Sequence, residues 1–181
     1  GRRVSENNVP QVLTNIESRI IRFESVASVS SRGLSSIGPF RNTGPQPPKA
    51  DITTQYAIML AAKNESNELT DAAVTMTLPP YVTWADAMAS GSNITYNTST
   101  REVTWRIGNL GANASAEAAF QVNFLPSVSQ VGTVPMLVGA QSLRATDRFT
   151  GTVVRATADA VTTHLPEDPN PAAQVGRVEP K

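Results

Sequence analysis

The chain has one histidine, His164, and no cysteine, and these two counts set the limits on its chemistry. A Ser-His-Asp set would have to use His164, yet no G-x-S-x-G elbow precedes it. A lone histidine two residues before Pro166, at the end of an apolar run, is expected to be structural. Without cysteine there is no thiolate nucleophile, no thiolate zinc site and no disulfide. The carboxylates Asp71, Asp86, Glu117, Asp147 and Asp159 are scattered and show no paired spacing of the kind a glycosidase dyad needs. No D-x-D-x-D run offers oxygens to calcium, and Asp147 in ATDRFTG is expected to tie its own turn. Phosphate-cradling glycine loops are absent as well. The expected catalytic, cofactor-binding and metal-ligating sets are therefore empty, no cofactor is implied, and the chain is not expected to be an enzyme.

One covalent possibility remains, an internal Lys-Asn isopeptide clamp, which needs a buried lysine facing an asparagine beside a carboxyl group. Lys49 and Lys63 are the lysines within the part expected to fold. Lys63 falls on the face opposite Tyr56 and Ile58 and is expected to be solvated. The sequons NES, NIT, NTS and NAS read as polar turns, because Asn, Ser and Thr hydrogen-bond their own backbone.

The elements that would position any site follow period 2. In DITTQYAIMLAAK, Tyr56, Ile58 and Leu60 share a face; in DAAVTMTLPP, Val74, Met76 and Leu78 do; in AEAAFQVNFLP, Phe120, Val122 and Phe124 do. NITYNTSTREVTWRIGNL reads as a hairpin with NTST as its turn and Val103, Trp105 and Ile107 pointing into the core. Such alternation closed by Pro, Gly and Asn predicts an all-β, antiparallel sandwich of about seven to nine strands. VGTVPMLVGAQSL and TGTVVRATADAVTTHL read as the last two strands, with an edge or bulge at Pro135. The Pro- and Gly-rich segment 38–49 is expected to cross one end of the sandwich.

In 181 residues, one core is the default. Residues 1–18 are expected to be a lead-in from an upstream domain or linker, 19–165 the sandwich with its first strand from about Arg19 to Ser31, and 166–181 a Pro-rich linker or disordered tail. Fifteen basic and fifteen acidic residues cancel without blocks, which disfavours nucleic acid and anionic lipid as partners. No apolar run approaches the roughly 20 residues of a membrane-crossing helix, so direct insertion by this segment is not expected. The start GRRVS suggests a processed product or a piece of something longer.

The residues also resemble a known family. ITTQYAIMLAAKNESN, then DAAVTMTLPPYVTW, then ITYNTSTREVTWRIGNLGANASAEAAFQVNF look like the immunoglobulin-like repeat of bacterial surface proteins called domain of unknown function eleven. GPFRNTGPQPPK and DRFTGT resemble a variant found in long surface-anchored proteins of small-genome bacteria. The resemblance covers residues 26–165, and GANAS stands where the family has a glycine-rich stretch after Leu110. It implies an immunoglobulin-like sandwich used in tandem outside the cell, attached through other parts of its parent, with no catalytic residues to carry over.

Two functions fit. One is a spacer or stalk unit whose partners are neighbouring domains of the same long chain. The other is a recognition module whose loops bind a glycan or another cell-surface protein. Aromatics make up only 6% of the residues, and Tyr81, Trp84 and Phe149 are the ones that could stand near loop ends, so the spacer leads.

Overall fold

The computed structural model describes residues 26–181; the expected lead-in 1–18 and the beginning of the expected first strand, 19–25, lie outside them. Strands run as β1 (Ala27–Leu34), β2 (Thr54–Asn64), β3 (Leu69–Thr77), β4 (Val82–Met88), β5 (Ile94–Asn97), β6 (Glu102–Leu110), β7 (Ser115–Phe124), β8 (Met136–Val138), β9 (Gln141–Asp147), β10 (Val153–Ala158) and β11 (Val161–Thr162), before one short helix, α1 (Pro171–Val175). A four-stranded sheet, β1-β2-β7-β4, faces a five-stranded one, β10-β9-β3-β6-β5, and β8 pairs with β11 in a small ribbon. All pairings between these strands are antiparallel. The fold is an immunoglobulin-like antiparallel sandwich.

Alternation places the core. Tyr56, Ile58, Leu60, Val74, Met76, Leu78, Val103, Trp105, Phe120, Val122 and Phe124 are all buried in one cluster. Trp105 is 3% exposed, so this tryptophan fills the interior and presents no face to a ligand. Ile107 is only half-buried. Gly108 follows it at φ 77°, and the facing β3 is bulged between Leu69 and Ala73, so the pleat drifts out of phase at that end.

The β5–β6 hairpin closes as its sequence requires. The Asn97 side chain accepts from Ser99 N–H at 3.0 Å and Thr100 N–H at 3.3 Å. Arg101, at φ 58°, ends the turn and reaches across it, donating to the carbonyls of Leu78 at 3.0 Å, Pro79 at 2.7 Å and Val82. One guanidinium thereby ties the hairpin to the turn that carries the chain from one sheet to the other.

Three expectations are corrected. Segment 38–49 is expected across one end, but Gln121 Nε2 donates to Asn42 Oδ1 at 2.8 Å and Thr43 bonds Gln55, so part of the segment lies against the outer face of β2 and β7. The two last strands are four, because Gly139 and Asp159-Ala160 break each apolar run, and Pro135 stands just ahead of β8. Residues 166–181 are not an unattached tail. Asp168, Ala173 and Val178 are no more than 1% exposed, and Lys49 and Glu179 form a parallel bridge.

Candidate functional site

Residues 166–179 strap the sandwich through polar contacts that centre on the buried Asp168. The strap begins as a capped turn of helix: Asn170 Oδ1 accepts from Ala172 N–H at 3.0 Å, Pro171 opens α1, and Gly176 at φ 66° ends it. Gly176 is obligatory in a second way, since a Cβ there would sit 2.4 Å from the backbone N and Cα of His164. Asp168 is the clasp. Its Oδ2 accepts from Ser35 N–H at 2.6 Å, Ser36 N–H at 3.0 Å and Ser35 Oγ at 3.0 Å. Its Oδ1 accepts from Ser36 Oγ at 2.5 Å and Asn170 N–H at 2.9 Å.

Burial pushes the Asp168 carboxyl up, but the Ser36 hydroxyl and the backbone N–H groups of Ser35, Ser36 and Asn170 outweigh it and hold the group down at about 2. The strap's far end is fixed by backbone. Ala50 N–H donates to Glu179 O at 2.9 Å, Glu179 N–H to Pro48 O at 2.8 Å, and Gly132 N–H to Val178 O at 2.8 Å. This arrangement holds chain in place and offers no reacting atom.

The three loop aromatics do not share a surface. Trp84 lies inside β4 and stacks between Tyr96 at 5.5 Å and Phe120 at 5.3 Å, closing the open side between the two sheets. Tyr81 meets Phe124 edge-on at 5.7 Å. Burial raises the pKa of its hydroxyl, partly offset by a hydrogen bond with the Met136 backbone. Phe149 is 53% exposed in the β9–β10 turn. Beside it, Asp147 ties its own turn, accepting from Phe149 N–H at 2.8 Å and Thr150 N–H at 2.9 Å, and also holds Asn67 Nδ2 at 3.0 Å.

Phe149 therefore stands at the Asn64 end of β2, while Tyr81 stands at the Thr54 end, beside Phe124. His164 Nδ1 meets the Gln174 carbonyl and orients the strap. Lys63 is exposed. Among the described residues no group of three or more His, Asp or Glu side chains could hold a metal ion, and no helix is long and apolar enough to cross a membrane. Sequence reasoning missed Asp168, although N-P-A-A-Q-V-G carries an N-cap, a first-turn proline and a C-terminal glycine, the signals of a short ordered helix.

Solved structures of pilin subunits resemble this fold. The chain is similar to BcpA, the major pilin subunit of Bacillus cereus, at 12% identity and TM-score 0.50 over 77% of this chain and 40% of that one. It is similar also to the full-length major pilin SpaD of Corynebacterium diphtheriae, at 13% identity and TM-score 0.45 over 75% of this chain and 34% of that one. The chain thus spans about two fifths of BcpA and a third of SpaD. No family model matches the sequence, and no curated protein matches it.

Proposed function

We propose that this chain is a non-enzymatic spacer or stalk module of a larger bacterial cell-surface protein, a domain of the unknown-function-eleven type whose partners are its neighbours along the same chain. The observation that carries the reading is that Val26, just ahead of β1, and Glu179, in the strap, are held at opposite ends of the four-stranded sheet. Val26 O accepts from Glu65 N–H beside Asn64, at one end of β2. Glu179 pairs beside Ala50, next to Pro126 and the Thr54–Phe124 end of the same sheet. The two points are separated by the length of β2, an 11-residue strand and so roughly 33 Å. A unit joined to its neighbours at opposite ends holds them apart by its long axis, and tension applied there shears β1 along β2 instead of peeling it.

The pilin fold supports a place outside the cell. Adhesion through loops at one end has less support, because packing takes Trp84 and Tyr81 into the sandwich edge and leaves Phe149 at the other end. Single-molecule stretching of the chain through its two termini tests the spacer reading. A high unfolding force with one sharp event is expected; extension at the low forces of a peeling hairpin would overturn it.

A further inference from the structure

The outer face of the five-stranded sheet is built to a register that solvation alone does not require. Thr95 on β5 stands opposite Thr104 on β6, Thr104 opposite Thr75 on β3, Thr75 opposite Ser142 on β9, and Ser142 opposite Thr157 on β10. One level of the sheet thus carries a hydroxyl on every strand, at the roughly 4.8 Å spacing of neighbouring strands.

The next level toward the β9–β10 turn is cationic: Arg106 on β6, then Ala73 on β3, then Arg144 on β9, then Arg155 on β10, again all in register. The three arginines are exposed, and among the described residues none has a carboxylate within ion-pair distance; the ion pairs there are Arg32–Glu167 and Arg148–Glu68, while Arg106 Nη1 donates to Thr95 Oγ1 at 3.2 Å. Arg144 and Arg155 face one another directly, an arrangement that costs stability in a sheet, and the one acidic side chain lining their depression is Asp71 of the β3 bulge, which leaves the pair in charge excess. Ala73 keeps the floor low between Arg106 and Arg144. Two shallow depressions result, one of about 520 Å³ around Asp71, Ala73, Ser142, Arg144 and Arg155, and one of about 460 Å³ around Thr95, Glu102, Thr104 and Arg106.

From this paired row of hydroxyls and guanidiniums we infer that the outer face of the five-stranded sheet binds an acidic polysaccharide, laid across the strands with its carboxylates on the arginine row and its hydroxyls on the threonine row. Guanidinium forks match carboxylates in bidentate geometry, which accounts for arginine at all three charged positions of the row. A ligand touching Arg106, Arg144 and Arg155 must be extended over about 15 Å at right angles to the strands, as a glycan chain can be. An acidic peptide would more readily add to a strand edge through its own backbone than cross a face. The inference is independent of the spacer reading, since the surface leaves both ends of the sandwich unoccupied.

The test uses the full chain with polygalacturonate, neutral dextran and poly-L-glutamate as probes, by affinity electrophoresis and calorimetry at low salt. Polygalacturonate should bind and dextran should not. Arg144→Ala with Arg155→Ala should weaken binding by about tenfold or more at an unchanged or higher melting temperature. Thr75→Val should weaken polygalacturonate as well, whereas Arg32→Ala, on the other sheet, should leave it unchanged. Failure of polygalacturonate to bind, survival of binding in the double variant, an equal loss in Arg32→Ala, or poly-L-glutamate held as tightly would each overturn the proposal.

Discussion

Asp168→Ala should loosen the strap and measurably destabilise the whole domain. The carboxylate accepts from five donors, two of them the backbone N–H groups of Ser35 and Ser36 where the chain leaves β1. Hydroxyls can turn toward water, but those backbone groups cannot be moved without pulling on β1. A hydrogen bond to a charged partner contributes about 1.5 to 3 kcal/mol, and removing the acceptor also leaves donors unsatisfied. Regaining the solvation the buried carboxylate gives up offsets part of this, so a net loss of about 3 kcal/mol is expected. For a chain of this size that is a fall in melting temperature of about 6 to 12 °C. Calorimetry at neutral pH reads it, and trypsin gives a local check: Arg177 is exposed but flanked by buried Gly176 and Val178, so cleavage there should be slow in the parent and fast in the variant. A change below about 2 °C with unaltered cleavage would show that residues 166–179 merely rest on the sandwich.

Acid should abolish the same contribution. Because the Asp168 carboxyl is held down at about 2 when folded and lies near 3.9 when unfolded, its stabilisation is complete above about pH 4 and disappears as pH falls through 2. The melting-temperature gap between the parent and Asp168→Asn should therefore close over that window; a gap constant down to pH 2 would refute the assigned role. Trp105→Ala should cost about 3 to 5 kcal/mol in urea unfolding, as expected for emptying a large buried site, and a loss under about 1 kcal/mol would place the ring outside the core. Intact mass spectrometry should return the mass of the uncrosslinked sequence, since Lys63 is exposed and stands opposite Ser28 and Ser115. A deficit of one ammonia or one water would contradict it.

Alternation made the sandwich legible because each strand has one wet face, and residues such as Val74 and Phe120 could be oriented from their neighbours alone. Ile107 shows the limit of that reasoning: a bulge in the facing strand shifts phase, and the one local sign of it in REVTWRIGNL is Gly108. The strap was misread for a different reason. Its anchors are one carboxylate, one alanine and one valine among prolines and polar residues, with most of the remaining contacts made by backbone, so hydropathy carried no sign of docking. Trp84 is expected near a loop end because YVTWADAM lacks clean alternation; Asp86 sits at φ 55° and the pairing of β4 with β7 slips between Trp84 and Met88. The cross-strand rows were invisible to a linear reading, since register is a property of strands distant in sequence.

The strap also fixes when the domain can finish folding. Asp168 meets Ser35 and Ser36 across sequence separations of 133 and 132 residues, and Glu179 must return to Pro48 and Ala50. Contacts that close such long loops are entropically costly and slow to form. A chain synthesised from its N-terminus has no partner for the exit of β1, or for the 48–50 segment, until residues 168–179 have emerged. Completion of this domain is thereby deferred until its own strap has been made, which keeps the stretch before it open, and able to be threaded, for that long.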